Sequence, residues 1–302
     1  MGSKIGVNTV RILSLRRLFM LSQEQLDFYD ENGYIGVSGV LSETEIAALR
    51  RVTDEFVEKS REVTEHNDIF DLEPGHSPTN PRVRRIKSPC LYHTVYDQTL
   101  RHPNILGTVS QLIGDAIRYN GHKLNMKYPE YGSPVEWHQD WTFYPHTNDD
   151  LLAVGVVIDD MTVENGALMV IPGSHKGPTL DHHQNGAFVG AVTDPDFTPD
   201  GAVPIELKAG GITIHHVRAL HGSKPNTSDK PRRLLLFQYG AVDAWPLKGI
   251  PDWDTFNDFI IQGEPTNQPR IVSTPVRMPE PYSEKKGSIY EVQSLLENPM
   301  LK

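Results

Sequence analysis

From Leu21 to Gly114 the apolar residues recur at helical spacing. Ser22-Gln23-Glu24-Gln25 has the form of a capping box, and Gly33 supplies a stop. A second box, Ser42 to Glu45, opens a stretch in which Ile46, Leu49, Val52 and Phe56 share one face with charges between them. Pro103 suits the first turn of a third helix, whose inner face is Ile105, Leu106, Val109, Leu112 and Ile113. Beyond Gly114 the texture changes. Short apolar or alternating runs, among them "RYNGHKLNMKY", "DLLAVGVVID", "GALMVI", "AVPIEL", "GGITIHH" and "RRLLLFQYG", are separated by Gly, Pro, Asn and Asp. That pattern predicts many short strands.

Short strands with turns between them predict a mainly β fold, a jelly roll with helices packed outside it. No strand–long helix–strand alternation follows, which excludes a Rossmann-type sheet. The expected division is a helical part over 21–115, a jelly-roll core over 116–245 and an irregular cover over 246–302, all one domain. One short helix is expected in the cover, from Ser288 to Leu296. Residues 1–20 carry Lys4, Arg11, Arg16 and Arg17 and no acid, and read as an extension, with an organelle-type leader as the alternative.

Composition narrows the partners. The 302 residues carry a net charge of -10, which argues against nucleic acid, since phosphate binding wants a basic face. No apolar run reaches the roughly 18 residues that a membrane span requires. The single cysteine, Cys90, cannot form an internal disulfide and suits the cytoplasm. No His-paired context surrounds it, so it reads as a small buried residue.

The chemistry is concentrated in "EWHQDWTFYPH", Glu136 to His146. Side chains at i and i+2 of a strand share a face, so His138 and Asp140 look the same way and Gln139 looks away. A chance surface pair is the bland alternative. The third ligand is expected to be His221, after the apolar run "GGITIHHV". Two His and one carboxylate form the facial triad of non-heme Fe(II) oxygenases. Such a triad leaves three positions open, two for a 2-oxo acid and one for O2. Arg232, eleven residues beyond His221, is placed to grip the far carboxylate of that acid in a bidentate manner, and Ser223 to donate to it. Zn²⁺ accepts the same ligands but gives no reason for Arg232.

These stretches resemble a known family. "HQDWTFYPHTNDDLLAVGVVIDDMTVENGALMVIPGSHKG" and "LHGSKPNTSDKPRRLLLFQY" are similar to the phytanoyl-CoA dioxygenase family over roughly Leu21 to Ala241. The resemblance implies a double-stranded β-helix (jelly roll, cupin-like) that uses Fe(II), 2-oxoglutarate and O2 to hydroxylate a C–H bond, releasing succinate and CO2. It implies His138, Asp140 and His221 as iron ligands, and Arg232, Ser223 and Lys87 as 2-oxoglutarate contacts. Because Asp140 is present, halogenation is disfavoured. The family often has Gly-Asp where this chain has Gly210-Gly211, and a tryptophan lining the co-substrate pocket falls at Val156.

The remaining histidines read as follows. His175 sits in a tight "IPGSHKG" turn and is structural or pocket-lining. His182 and His183 lie in a polar loop and are expected in solvent. One of His215 and His216 must face inward, as a hydrogen-bonded core histidine or beside the metal. Trp141, Tyr144, His146 and Gln238 are the substrate-pocket candidates, with core packing the alternative for the aromatics. "RVRR", Arg82 to Arg85, reads as a solvated basic face. The expected activity is hydroxylation of a small or medium-sized metabolite. The alternatives are an acyl-CoA hydroxylase and a silent metal-binding sensor. A sensor is disfavoured because every ligand and the arginine are present.

Overall fold

The computed structural model describes residues 19–129, 132–250, 252–276, 283, 285 and 287–301. Almost all of the expected N-terminal extension therefore lies outside the described residues. The strands are β1 (Tyr34–Val37), β2 (Phe70–Leu72), β3 (Val83–Lys87), β4 (Ile117–Lys127), β5 (Val135–His138), β6 (Leu151–Val157) and β7 (Met169–Val170). They continue with β8 (His183–Gln184), β9 (Ala187–Phe188), β10 (Val203–Pro204), β11 (Ile212–His216), β12 (His221–Ser223), β13 (Arg232–Ala241) and β14 (Ile260–Gln262). The large sheet runs β1-β11-β6-β13-β4-β3-β2, with β14 also on β4. The small sheet runs β10-β7-β12-β5. Every pair among these strands is antiparallel, as a jelly roll requires.

Alternation along the strands sorts the large sheet into two faces. Leu152, Val154 and Val156 of β6, Ile212 and Ile214 of β11, Leu235, Phe237 and Tyr239 of β13, and Leu124 and Met126 of β4 join one core with the helices. Those helices are α1 (Gln23–Asn32), α2 (Glu43–Lys59), α3 (Thr94–Leu100) and α4 (Pro103–Ile113). The residues between, such as Ala153, His215, Arg232, Leu234, Asn125 and Lys123, face the inside of the roll. Both predicted capping boxes are formed, at Ser22 with Gln25 and at Ser42 with Glu45. Leu49 and Val52 of α2 are fully buried against the sheet. Each such burial contributes about 1.5–3 kcal/mol.

The first third is less helical than expected, since it supplies β1, β2, β3 and α3 as well as the anticipated helices. These strands are three to five residues long, and β2 is buried at every position, so no alternation marks them. The cover holds α5 (Trp253–Asp258), β14 and α6 (Ile289–Gln293). The last begins at a Ser288–Glu291 capping box and stops at Gln293, short of the expected Leu296. No helix among the described residues is long and apolar enough to cross a membrane.

Candidate metal centre

β5 ends at His138, and its partner across the small sheet is His221 of β12. This register sets the two imidazole rings 4.1 Å apart, centroid to centroid. Gln139 is still extended, and Asp140 opens a 3₁₀ turn. The Asp140 carboxylate thus comes within 3.6 Å of His138 Nε2 and 4.0 Å of His221 Nε2. All three side chains are buried, and each offers one ligand atom, the three lying within 4.8 Å of one another.

The tautomers follow from the other ring nitrogens. His138 Nδ1 is 2.8 Å from the Glu136 carbonyl, and His221 Nδ1 is 2.9 Å from the Ala219 carbonyl. A carbonyl only accepts, so each Nδ1 donates and each Nε2 keeps its lone pair on the Asp140 side. Burial holds the His221 imidazole well below its usual range, with His138 and His215 adding to the effect. Burial alone would raise the Asp140 carboxyl, but His138, His215, His221 and Lys123 outweigh it and hold the group well below the usual carboxylate range. Two imidazoles that turn Nε2 to the same side and a carboxylate held ionised, converging on one point, fit Fe(II).

The segment carrying His138 and Asp140 is anchored from behind. The Gln139 side chain points away, donating to the Arg218 carbonyl and accepting from Leu180 N. The Gln139 amide donates to His182 Nε2 at 3.0 Å. The Glu136 carboxylate accepts from the amides of Met300 and Leu301, and the Gln293 side chain accepts from Glu136 N.

His138, Asp140 and His221 open onto a cavity lined also by Asn125, Lys123, His215, Ser223, Arg232 and Gln238, with Leu168, Leu234 and Ile289 as apolar wall. Arg232 is 3% exposed. Its Nε and Nη2 donate to the Gly166 carbonyl at 3.2 and 3.0 Å. Among the described residues no carboxylate lies within ion-pair range of it. Burial lowers its guanidinium to about 10. Gly166 has φ +82°, and a Cβ there would meet the Lys224 carbonyl at 2.7 Å, so the turn that presents its oxygen requires glycine. Lys127, opposite Arg232 in the β4–β13 register, is also buried and donates to the carbonyls of Ser223 and Lys224.

Residues 29–234 match the family pattern described as Phytanoyl-CoA dioxygenase (PhyH). The chain belongs to that family. It is 35% identical over 283 residues to a probable alpha-ketoglutarate-dependent hypophosphite dioxygenase of Stutzerimonas stutzeri, covering 92% of this chain and 98% of the relative. It is 28% identical over 228 residues to a methylphosphonate hydroxylase of Gimesia maris, covering 76% and 84%. The crystal structure of the non-heme alpha ketoglutarate dependent carbocyclase SnoK superposes with a TM-score of 0.61 at 28% identity, over 78% of this chain and 90% of SnoK. This PhyH-family protein is a non-heme Fe(II)- and 2-oxoglutarate-dependent dioxygenase.

The structure places the predicted residues unevenly. His138, Asp140, His221, Ser223, Arg232 and Gln238 all line the cavity. Tyr144 lies just behind it and accepts a hydrogen bond from Gln238 at 2.9 Å. Burial, and then Asp140, push its phenol well up. Trp141 and His146 are not brought to the cavity. Trp141 is buried and donates to the Pro275 carbonyl. His146 is buried, with Nδ1 on the Tyr144 carbonyl. Lys87 lines a second, outer cavity instead, and pairs with the buried Asp71 at 2.8 Å.

Several other expectations are corrected, and those for His175 and His215 hold. His182 is fully buried, not solvated, because Gln139 N needs its Nε2. His183 packs against Phe188, and its side chain is 8% exposed. "RVRR" is no solvated face: Arg85 pairs with Asp71, and Arg84 lies over the Tyr290 ring. Val156 packs against the helical layer, so the tryptophan position of the family is not matched by a cavity residue there. His175 is buried and bonded to the Asp30 carbonyl, a structural role. His215 faces the metal centre, with Nε2 3.7 Å from Asp140. Asn125, Lys123 and Lys127 escaped notice, although polar residues alternate with Leu124 and Met126 in "KLNMK". That alternation is the signal of a strand with one polar face.

Proposed function

We propose that this enzyme oxidises a small metabolite, with phosphorus oxyanions such as hypophosphite and short phosphonates as the leading candidates. In this reading His138, Asp140 and His221 hold the iron. The observation that carries it is the buried Arg232 in the same cavity as the triad, without a carboxylate partner among the described residues. An uncompensated buried cation is costly, and the far carboxylate of 2-oxoglutarate compensates it. Ser223 donates to the same carboxylate. Iron held there would supply the oxidation of the substrate by O2, one oxygen atom going to the substrate and the other to succinate as 2-oxoglutarate loses CO2. The chain's own contribution is to fix the two imidazoles in the Nε2-binding tautomer, to keep Asp140 ionised and to exclude water with Leu168, Leu234 and Ile289.

The substrate class is supported by relatives named for hypophosphite and methylphosphonate, the first aligned over 98% of its length. We assign residues 21–302 to one oxygenase domain, with 1–20 as an extension to it. We place the enzyme in the cytoplasm, in keeping with the lone, partly buried Cys90, whose thiol burial pushes up to about 12. The test is succinate formation with Fe(II) and 2-oxoglutarate against hypophosphite, phosphite, short phosphonates, amino acids and acyl-CoA thioesters. Efficient turnover of a phosphorus oxyanion is the expected result. Turnover of the thioesters alone would overturn the small-metabolite reading.

A further inference from the structure

The iron cavity and the outer cavity share three lining residues, Lys123, Leu236 and Gln238. These form a throat between them. Lys123 on β4 stands between Lys87 of β3 and Leu236 of β13 in the sheet register. The outer cavity adds Arg85, Lys87 and His122, with Asp68 as its one acid among the described residues. Two of these cations are already committed. Arg85 and Lys87 both pair at 2.8 Å with Asp71, whose side chain is fully buried. Lys87 also donates to the Asn67 carbonyl. Lys123 is different. Among the described residues it has no hydrogen-bond or ion-pair partner, although it is turned to the inside of the roll beside the metal ligands. Its ammonium is desolvated, and Arg85 nearby adds repulsion that Asp140 opposes.

An ammonium left without an acceptor in a half-dry wall calls for an anion from outside. Arg232 serves the other end of the same wall. Along β4 the inward positions run Lys127, Asn125 and Lys123, opposite Arg232, Leu234 and Leu236 of β13. Lys123 is therefore two inward-facing positions beyond the cation pair that suits the 2-oxoglutarate carboxylate. Gln238 completes the throat. Its amide nitrogen donates to Tyr144, and its oxygen lies over Gly121, where a Cβ would be 2.8 Å away.

We propose that Lys123, at the throat between the two cavities, is the anchor for the substrate's oxyanion, a phosphinate or phosphonate held over the metal. The assignment rests on the small-oxyanion reading above. It separates the duties of two cations on one wall: Arg232 for the co-substrate, Lys123 for the substrate. Lys123→Met keeps the apolar stem and removes the charge. It breaks no hydrogen bond or ion pair among the described residues, and a prior Fe(II) titration of the variant reads separately any effect on Asp140, which Lys123 helps to keep ionised.

The test is calorimetric titration of the anaerobic Fe(II)- and 2-oxoglutarate-loaded protein with hypophosphite, phosphite and methylphosphonate, and with the uncharged dimethyl ester of methylphosphonate. The wild type is expected to bind at least one anion and not the ester. Lys123→Met is expected to weaken that binding about tenfold or more, which corresponds to losing about 1.4 kcal/mol. Lys123→Arg should keep it within a few fold, and 2-oxoglutarate affinity should be unchanged in both. Anion binding by Lys123→Met equal to wild type overturns the anchor and leaves the small-oxyanion reading standing. No binding of any of the three anions by the wild type overturns both.

Discussion

Replacing Arg232 with Gln separates a co-substrate anchor from a structural arginine. In the protein its guanidinium makes two hydrogen bonds, both to the Gly166 carbonyl, and the residue is 3% exposed. A guanidinium has five N–H donors, so most remain for a ligand. Removing it leaves a bound 2-oxoglutarate carboxylate buried without its cation. Such a truncation costs about 2–5 kcal/mol. At about 1.4 kcal/mol per decade, that weakens 2-oxoglutarate binding by roughly 30-fold to several thousand-fold. Stability should move much less. The Gly166 carbonyl loses its donors, a cost of about 1–3 kcal/mol, but an unpaired buried charge beside Lys127 is also removed. The assay is calorimetric titration of 2-oxoglutarate into the anaerobic Fe(II) protein, with urea unfolding of the same samples. Arg232→Lys should restore only part of the affinity, because an ammonium lacks the planar fork. Binding by Arg232→Gln within twofold of wild type, or a large loss of stability with 2-oxoglutarate affinity intact, would refute the reasoning.

Three further outcomes are expected. His146 is buried and held at about 4 by that burial, below the unfolded value near 6.5, so the unfolded state binds more protons between these pH values. Stability is complete above about pH 6.5 and falls as pH drops toward 4; His146→Gln should remove about 2 kcal/mol of the loss between pH 7 and 5 in urea unfolding, and an unchanged pH dependence counts against it. His182→Ala removes the acceptor from the buried Gln139 amide, between His138 and Asp140, and should cost about 1–3 kcal/mol of stability and weaken Fe(II) binding; unaltered affinity in a metal titration would show that this anchor does not hold the two side chains for metal. Leu49→Ala, in the fully buried stripe of α2, should cost about 2–5 kcal/mol in urea unfolding without changing 2-oxoglutarate affinity, since its contacts are on the helical side of the sheet; a change in that affinity would contradict the separation of the two faces.

What could be read from the chain divides along physical lines. Capping boxes are local, and those at Ser22 and Ser42 appear where the side chains predict them, as does the helix that starts after Ser288. The jelly roll was legible from many short runs, and the convergence of His138, Asp140 and His221 from a spacing with a chemical reason. β1, β2 and β3 were not legible, because strands of three to five residues carry almost no period. Nor was the orientation of aromatics after the ligands: once Asp140 opens a 3₁₀ turn, strand alternation no longer applies, and Trp141 and His146 turn into the core. His182 looked like a loop residue because its partner, the Gln139 amide, is 43 positions away in the chain. Lys123 was hidden for a similar reason. Its isolation shows only when β3, β4 and β13 are side by side and Asp71 is seen to occupy Arg85 and Lys87.

The central claim is that His138, Asp140 and His221 form one Fe(II) site facing the Arg232 pocket. The most direct measurement is anaerobic Fe(II) titration of the wild type, His138→Ala and His221→Ala, followed by 2-oxoglutarate addition monitored in the visible spectrum. The account predicts one Fe(II) per chain in the wild type, a new absorption band when 2-oxoglutarate chelates it, and loss of both in each variant. One tightly bound Fe(II) per chain in both variants, with the same absorption band on adding 2-oxoglutarate, would contradict the account.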